Sequence, residues 1–133
     1  VPLLILIFNR NILSTKDKQF GYQMTLASHK RLVFLGDEPY RDEFVSFCQG
    51  ADYLLHEAFC LYNERELFKP YAKHHVTVKD ACENGTKLDV KNLILYHTED
   101  KNYEQRKALY MNEGKDYYNG NLFVPYDLEV INL

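Results

Sequence analysis

The sequence predicts an α/β fold in which a mixed β-sheet carries helices on one face. Three observations lead there. The chain opens with three strand-like runs, "VPLLILIF" at 1–8, "FGYQMTLA" at 20–27 and "RLVFL" at 31–35. Two further short apolar runs, "DYLLH" at 52–56 and "NLILY" at 92–96, alternate with segments of helical spacing. Gly, Asn and Asp punctuate the joins. A hairpin followed by alternating strands and helices is the pattern of a layered sheet.

The elements follow in order. Residues 1–8 predict a strand and 9–19 a polar loop. Residues 20–27 alternate apolar and polar, as a half-buried strand does. They pair through a turn at 28–30 with the strand at 31–35, forming a hairpin. Residues 42–49 place Phe44, Val45, Phe47 and Cys48 at helical spacing, with Gly50 as the stop. A strand at 52–56 leads into 57–72, which is acidic, aromatic and only partly helical. A short helix at 77–84 has Gly85 as its cap. A strand at 92–96 and a helix at 103–112 follow. After the Asn119-Gly120 turn, 122–124 and 128–132 predict two closing strands.

Composition narrows the function. A chain of 133 residues suits one modest domain, and 46% apolar residues can build a core. A net charge of −3 gives no electrostatic footprint for nucleic acid. Chemistry on a phosphate ester stays open, because a bound metal supplies local positive charge. Three cysteines without CxxC spacing argue against a disulfide framework and for a reducing cytoplasm. The apolar start is too short to span a membrane and lacks the flanks of a secretory signal. Without an initiator Met, it reads as a strand of a chain that was cut or that begins inside a larger fold.

In α/β sheets, ligands bind beyond the carboxyl ends of the strands. Asp37 after "RLVFLG", His56-Glu57 after "DYLL" and His97 after "LILY" fall at one such predicted edge. Each has two readings. Asp37 is a turn residue capping the next helix, or a metal ligand. His97 closes a strand, or serves as ligand or acid–base group. His74 and His75 are exposed loop residues or part of a site, and Glu57 is a solvated acid or a site acid. His29, in "SHKR", reads as a turn residue. Cys48 and Cys82 read as core, and Tyr117-Tyr118 as packing.

Four segments in order, "VFLGDEPY", "GADYLLHEAF", "HHVTVKDA" and "LILYHTED", resemble the second half of a metallo-β-lactamase-fold hydrolase of the ribonuclease Z-like branch. The resemblance covers roughly residues 10 to 133. It implies half of an αββα sandwich, with residues 1–133 as a single partial domain. It also implies that Asp37 is the carboxylate bridging two zinc ions and that His97 is the last metal-ligand histidine. His56-Glu57-Ala58-Phe59 is similar to the family's His-Glu-Ala-Thr, with Phe59 departing. His75-Val76-Thr77 is similar to its His-Ser-Thr, with Val76 departing. By that resemblance His75 assists proton transfer near the scissile phosphate and Glu57 supports it. The substrate class implied is a phosphodiester or nucleic acid.

The family's His-x-His-x-Asp-His motif does not occur in the sequence, and Leu13 stands where a further ligand histidine is expected. Asp37 and His97 alone do not complete a two-zinc site. The expectation is a chain inactive by itself, completed by a missing N-terminal half or a partner. The alternative is a non-catalytic remnant that self-associates, as a homodimer or larger assembly, through its exposed half-sandwich surface.

Overall fold

The computed structural model describes Leu4–Asn9, as backbone, and residues 20–133. The readings of 1–3 and of the 10–19 loop, Leu13 included, lie outside the described residues. Six strands form one sheet whose order follows the chain, β1 (Leu4–Asn9), β2 (Phe20–Thr25), β3 (Arg31–Phe34), β4 (Tyr53–Glu57), β5 (Asn92–Tyr96) and β6 (Asn121–Phe123). β1–β2 and β2–β3 are antiparallel, and β3 through β6 are parallel. The helices are α1 (Val45–Cys48), α2 (Arg65–Phe68), α3 (Val78–Lys87) and α4 (Arg106–Gly114).

Strand alternation sorts the side chains. Val33, Leu35, Leu54, Leu93 and Leu95 face α3 and α4 and, with Val78, Ala81, Cys82 and Tyr110, make the main core. Leu32, Tyr53 and Ile94 have the opposite parity and form a second cluster containing no helical residue. β3, β4 and β5 are thus apolar on both faces, which is why they read as continuous runs.

Several predictions shift. The helix expected over 42–49 is a 3-10 turn, Asp42–Phe44, running into α1, and Gly50 ends it at φ 66°. The helix expected over 77–84 continues to Lys87, so Gly85 is not its cap. A Cβ on Gly85 would stand 3.0 Å from Leu93 Cδ2 and 3.2 Å from Tyr118 Cδ2. Close approach of the helix to β5, and not a left-handed turn, requires the glycine. The helix expected over 103–112 starts at Arg106 instead. Glu99 holds the Lys101 N–H and the Asn102 amide, winding 101–105 into turns first. Residues 128–132 form no strand. Leu128 adopts φ 65°, and Glu129 folds back to accept the Tyr126 N–H at 2.9 Å and to pair with Lys107.

Thr77 caps α3 through a capping box. Its hydroxyl accepts from the Asp80 N–H at 3.3 Å, and Asp80 Oδ2 accepts from the Thr77 N–H at 2.9 Å. Thr77→Ala should cost about 1 kcal/mol. Thermal unfolding would show it as a fall of about 3–5 °C.

Candidate metal centre

The carboxyl ends of β3, β4 and β5 deliver three of the four polar groups that meet. Gly36 turns the chain out of β3 at φ 76°, a conformation that favours glycine. Its carbonyl accepts the Tyr96 hydroxyl, tying the Asp37 turn to the end of β5. His97 follows at φ 54°, an uncommon geometry for a non-glycine residue. Glu57 closes β4 with its side chain fully buried.

His75 arrives from a loop. Lys69 and His74 both sit at left-handed φ, flanking the 3-10 turn Tyr71–Lys73. The Pro70 carbonyl accepts both the Lys73 and the His75 N–H at 2.9 Å. Tyr71 donates to Asp80 Oδ2 at 2.8 Å, anchoring the loop to α3.

The four groups converge. His97 Nδ1 lies 3.0 Å from Asp37 Oδ1, and His75 Nδ1 lies 3.7 Å from the same oxygen. His75 Nδ1 is also 3.2 Å from Glu57 Oε2, while Glu57 Oε1 accepts the Val76 N–H at 2.9 Å. One donor atom each from Asp37, His75 and His97 falls within 4.8 Å of the others, the one such group among the described residues. Burial holds the His75 imidazole below its ordinary pKa, reinforced by His97 and opposed by Asp37. That favours the neutral ring a ligand or a base requires.

The structure thus brings Asp37, Glu57, His75 and His97 together. It does not bring His56. His56 has the parity of Leu54, so it points to the helix face. There its Nδ1 meets the Glu57 carbonyl at 2.7 Å and its Nε2 meets the Asn84 amide at 3.1 Å. The turn after Asp37 begins at Asp42 with Arg41 as its N-cap residue and no side-chain cap, so Asp37 does not cap it. His29 sits exposed in its turn. Burial pushes the Cys60 and Cys82 thiols up to about 12, consistent with inert core residues.

Phe59 is the neighbour that residue chemistry alone did not single out. Its ring stacks on His75 at 5.2 Å and stands 6.0 Å from His97, with Phe68 edge-on at 6.1 Å. The departure of Phe59 from the His-Glu-Ala-Thr pattern was the one sign of it in the sequence.

No family model matches the chain. A ribonuclease Z of Thermococcus sibiricus is 29% identical over 104 residues, 77% of this chain and 31% of that protein. The chain therefore spans about a third of the length of this relative. Among solved structures, the metallo-β-lactamase fold protein YhfI from Bacillus subtilis superimposes with a TM-score of 0.71 at 17% identity, over 93% of this chain and 47% of that one. The short form of human tRNase Z gives 0.69 at 20% identity, over 98% and 43%. Zinc-bound PqqB from Methylobacterium extorquens gives 0.65 at 14% identity, over 98% and 50%. The chain has the metallo-β-lactamase fold, and its sequence is similar to ribonuclease Z.

Proposed function

We propose that the protein takes part in metal-dependent hydrolysis of phosphodiester bonds in RNA, with zinc held by Asp37 and His97 and with His75 and Glu57 serving proton transfer. The observation that carries this is the convergence of Asp37, His75 and His97 on one point. Donors about 2.0–2.2 Å from a tetrahedral zinc lie about 3.4 Å from each other. The separation between His97 Nδ1 and Asp37 Oδ1, 3.0 Å, is near that value. An imidazole and a carboxylate are also donors that suit zinc. The resemblance implies two ions, and the described residues offer donors for one.

Zinc there would supply a Lewis acid and lower the pKa of a water. The chain's own groups do the rest. Glu57 Oε2 lies 3.2 Å from His75 Nδ1, which leaves Nε2 to take up a proton and, once charged, to give it to the leaving oxygen. Phe59 covers one face of that ring and keeps water from it. The ribonuclease Z relative and the tRNase Z neighbour support RNA as the substrate class.

Elemental analysis beside hydrolysis of a generic phosphodiester tests the proposal. About one zinc per chain, removed by a chelator, is the expected result, with turnover appearing once a missing half or a partner completes the site; absence of metal would overturn it. His75→Gln separates two roles for that residue. Zinc retained with turnover lost marks a proton-transfer group, whereas zinc lost marks a ligand.

A second reading rests on the sheet face away from the helices. Leu32, Tyr53 and Ile94 are joined there by the half-exposed Tyr22, Met24, Leu55 and Phe123. In this reading the chain is non-catalytic and pairs with a second copy through that apolar face. A monomer in sedimentation at micromolar concentration would exclude it. Among the described residues no helix is long and apolar enough to cross a membrane.

A further inference from the structure

We infer that Lys73 is a phosphate-contacting residue of this site, holding the backbone phosphate next to the one being attacked. The inference rests on the phosphodiester reading above and adds a residue that the resemblance does not assign.

The first argument is position. Lys73 Nζ lies over the Phe59 ring, 5.4 Å from its centroid, and the same ring stacks on His75 at 5.2 Å. The ammonium therefore stands one aromatic ring away from the candidate metal cluster. A cation on an aromatic face keeps a defined place at little entropic cost and remains open to an anion.

The second argument is availability. Two nearby lysines, Lys69 before the same loop and Lys101 over the Phe68 ring, already have carboxylates. Lys69 pairs with Glu66 at 2.7 Å and Lys101 with Glu64 at 3.2 Å. Lys73 has no carboxylate within ion-pair distance among the described residues, and it is exposed. In a chain of net charge −3, an uncommitted ammonium beside the reactive groups is where a phosphate gains most.

The third argument is rigidity. Lys73 and His75 hang from one acceptor, because the Pro70 carbonyl receives both of their N–H groups at 2.9 Å. The left-handed His74 between them fixes their relative direction. Phe59 is locked from the other side. Its N–H donates to the Val76 carbonyl at 2.8 Å, and its carbonyl accepts from Tyr110 and from Glu99 N–H. The backbones that carry Lys73, Phe59 and His75 are thus held together, and the Phe59 ring lies between the ammonium and the histidine.

The test uses anisotropy of a short labelled single-stranded RNA against salt, with RNA integrity checked on a gel and zinc measured on the same samples. Lys73→Ala should weaken binding about tenfold and reduce the slope of log K against log salt by about 0.7, the value for one single-strand phosphate contact. Lys73→Arg should keep the slope. Zinc content should not change in either. Unchanged affinity and slope in Lys73→Ala would overturn the inference, as would loss of zinc there or no RNA binding by the unsubstituted protein. Lys73-dependent binding by a protein without zinc would uphold the contact while overturning the metal reading, so the two fail separately.

Discussion

Asp37→Ala should weaken zinc binding by at least about 100-fold. Loss of supporting partners around a metal already costs 10–100-fold, and Asp37 is the oxygen that both histidines approach. After dialysis, elemental analysis should find less than about a tenth of the metal retained by the unsubstituted chain. Stability separates this from misfolding. The Asp37 side chain is 47% exposed, so its loss opens no cavity. In chelator the two proteins should therefore melt together, and with zinc present they should part, because a ligand bound to the folded state alone raises its stability. Equal zinc content in the two would remove Asp37 from the site. His97→Ala should behave alike, whereas His56→Ala should leave zinc untouched, since that ring is held by Asn84 on the far face.

The largest expected loss of stability belongs to Leu54→Ala. Leu54 is fully buried in β4, with β3 on one side and β5 on the other. Truncating such a side chain costs about 2–5 kcal/mol, through lost transfer energy and the cavity left behind. The melting temperature should fall by roughly 6–25 °C. A fall within about 3 °C would mean that the strand repacks, and that the core is less close-packed than its burial implies.

Much of this molecule was legible in the residues. β3, β4 and β5 announce themselves because strands buried on both faces have no polar alternation to blur them. Asp37, Glu57 and His97 were found by a simple rule, that side chains just past the carboxyl end of a parallel strand point into the same crevice. The rule failed at His56, where it named a pair and the pleat admits only one of two neighbours. Gly85 misled because a glycine near a helix end has two uses, and contact with Leu93 and Tyr118 decided between them. His75 reaches the cluster through two left-handed residues and a proline carbonyl, none of which leaves a periodic trace. Phe59 and Lys73 are harder still. Their part depends on one ring lying between them and the histidine, a tertiary fact with no local signature. The tail at 128–132 has a strand's composition but pairs with no strand among the described residues; Ile131 packs on the second cluster and Glu129 pairs with Lys107.

The strand order has a consequence for how the molecule comes into being. No strand is inserted between two earlier ones, so each new row is laid against an edge that the chain has already made. A chain leaving the ribosome can add its sheet row by row, in the direction of synthesis, without holding a gap open for residues still to come. The reactive corner follows the same schedule. Asp37, Glu57, His75 and His97 emerge in that order, and each of the last three finds its predecessor in place. The candidate metal corner gains the last of these four groups only when β5 has docked, which makes their convergence a report that the parallel sheet has formed up to that strand.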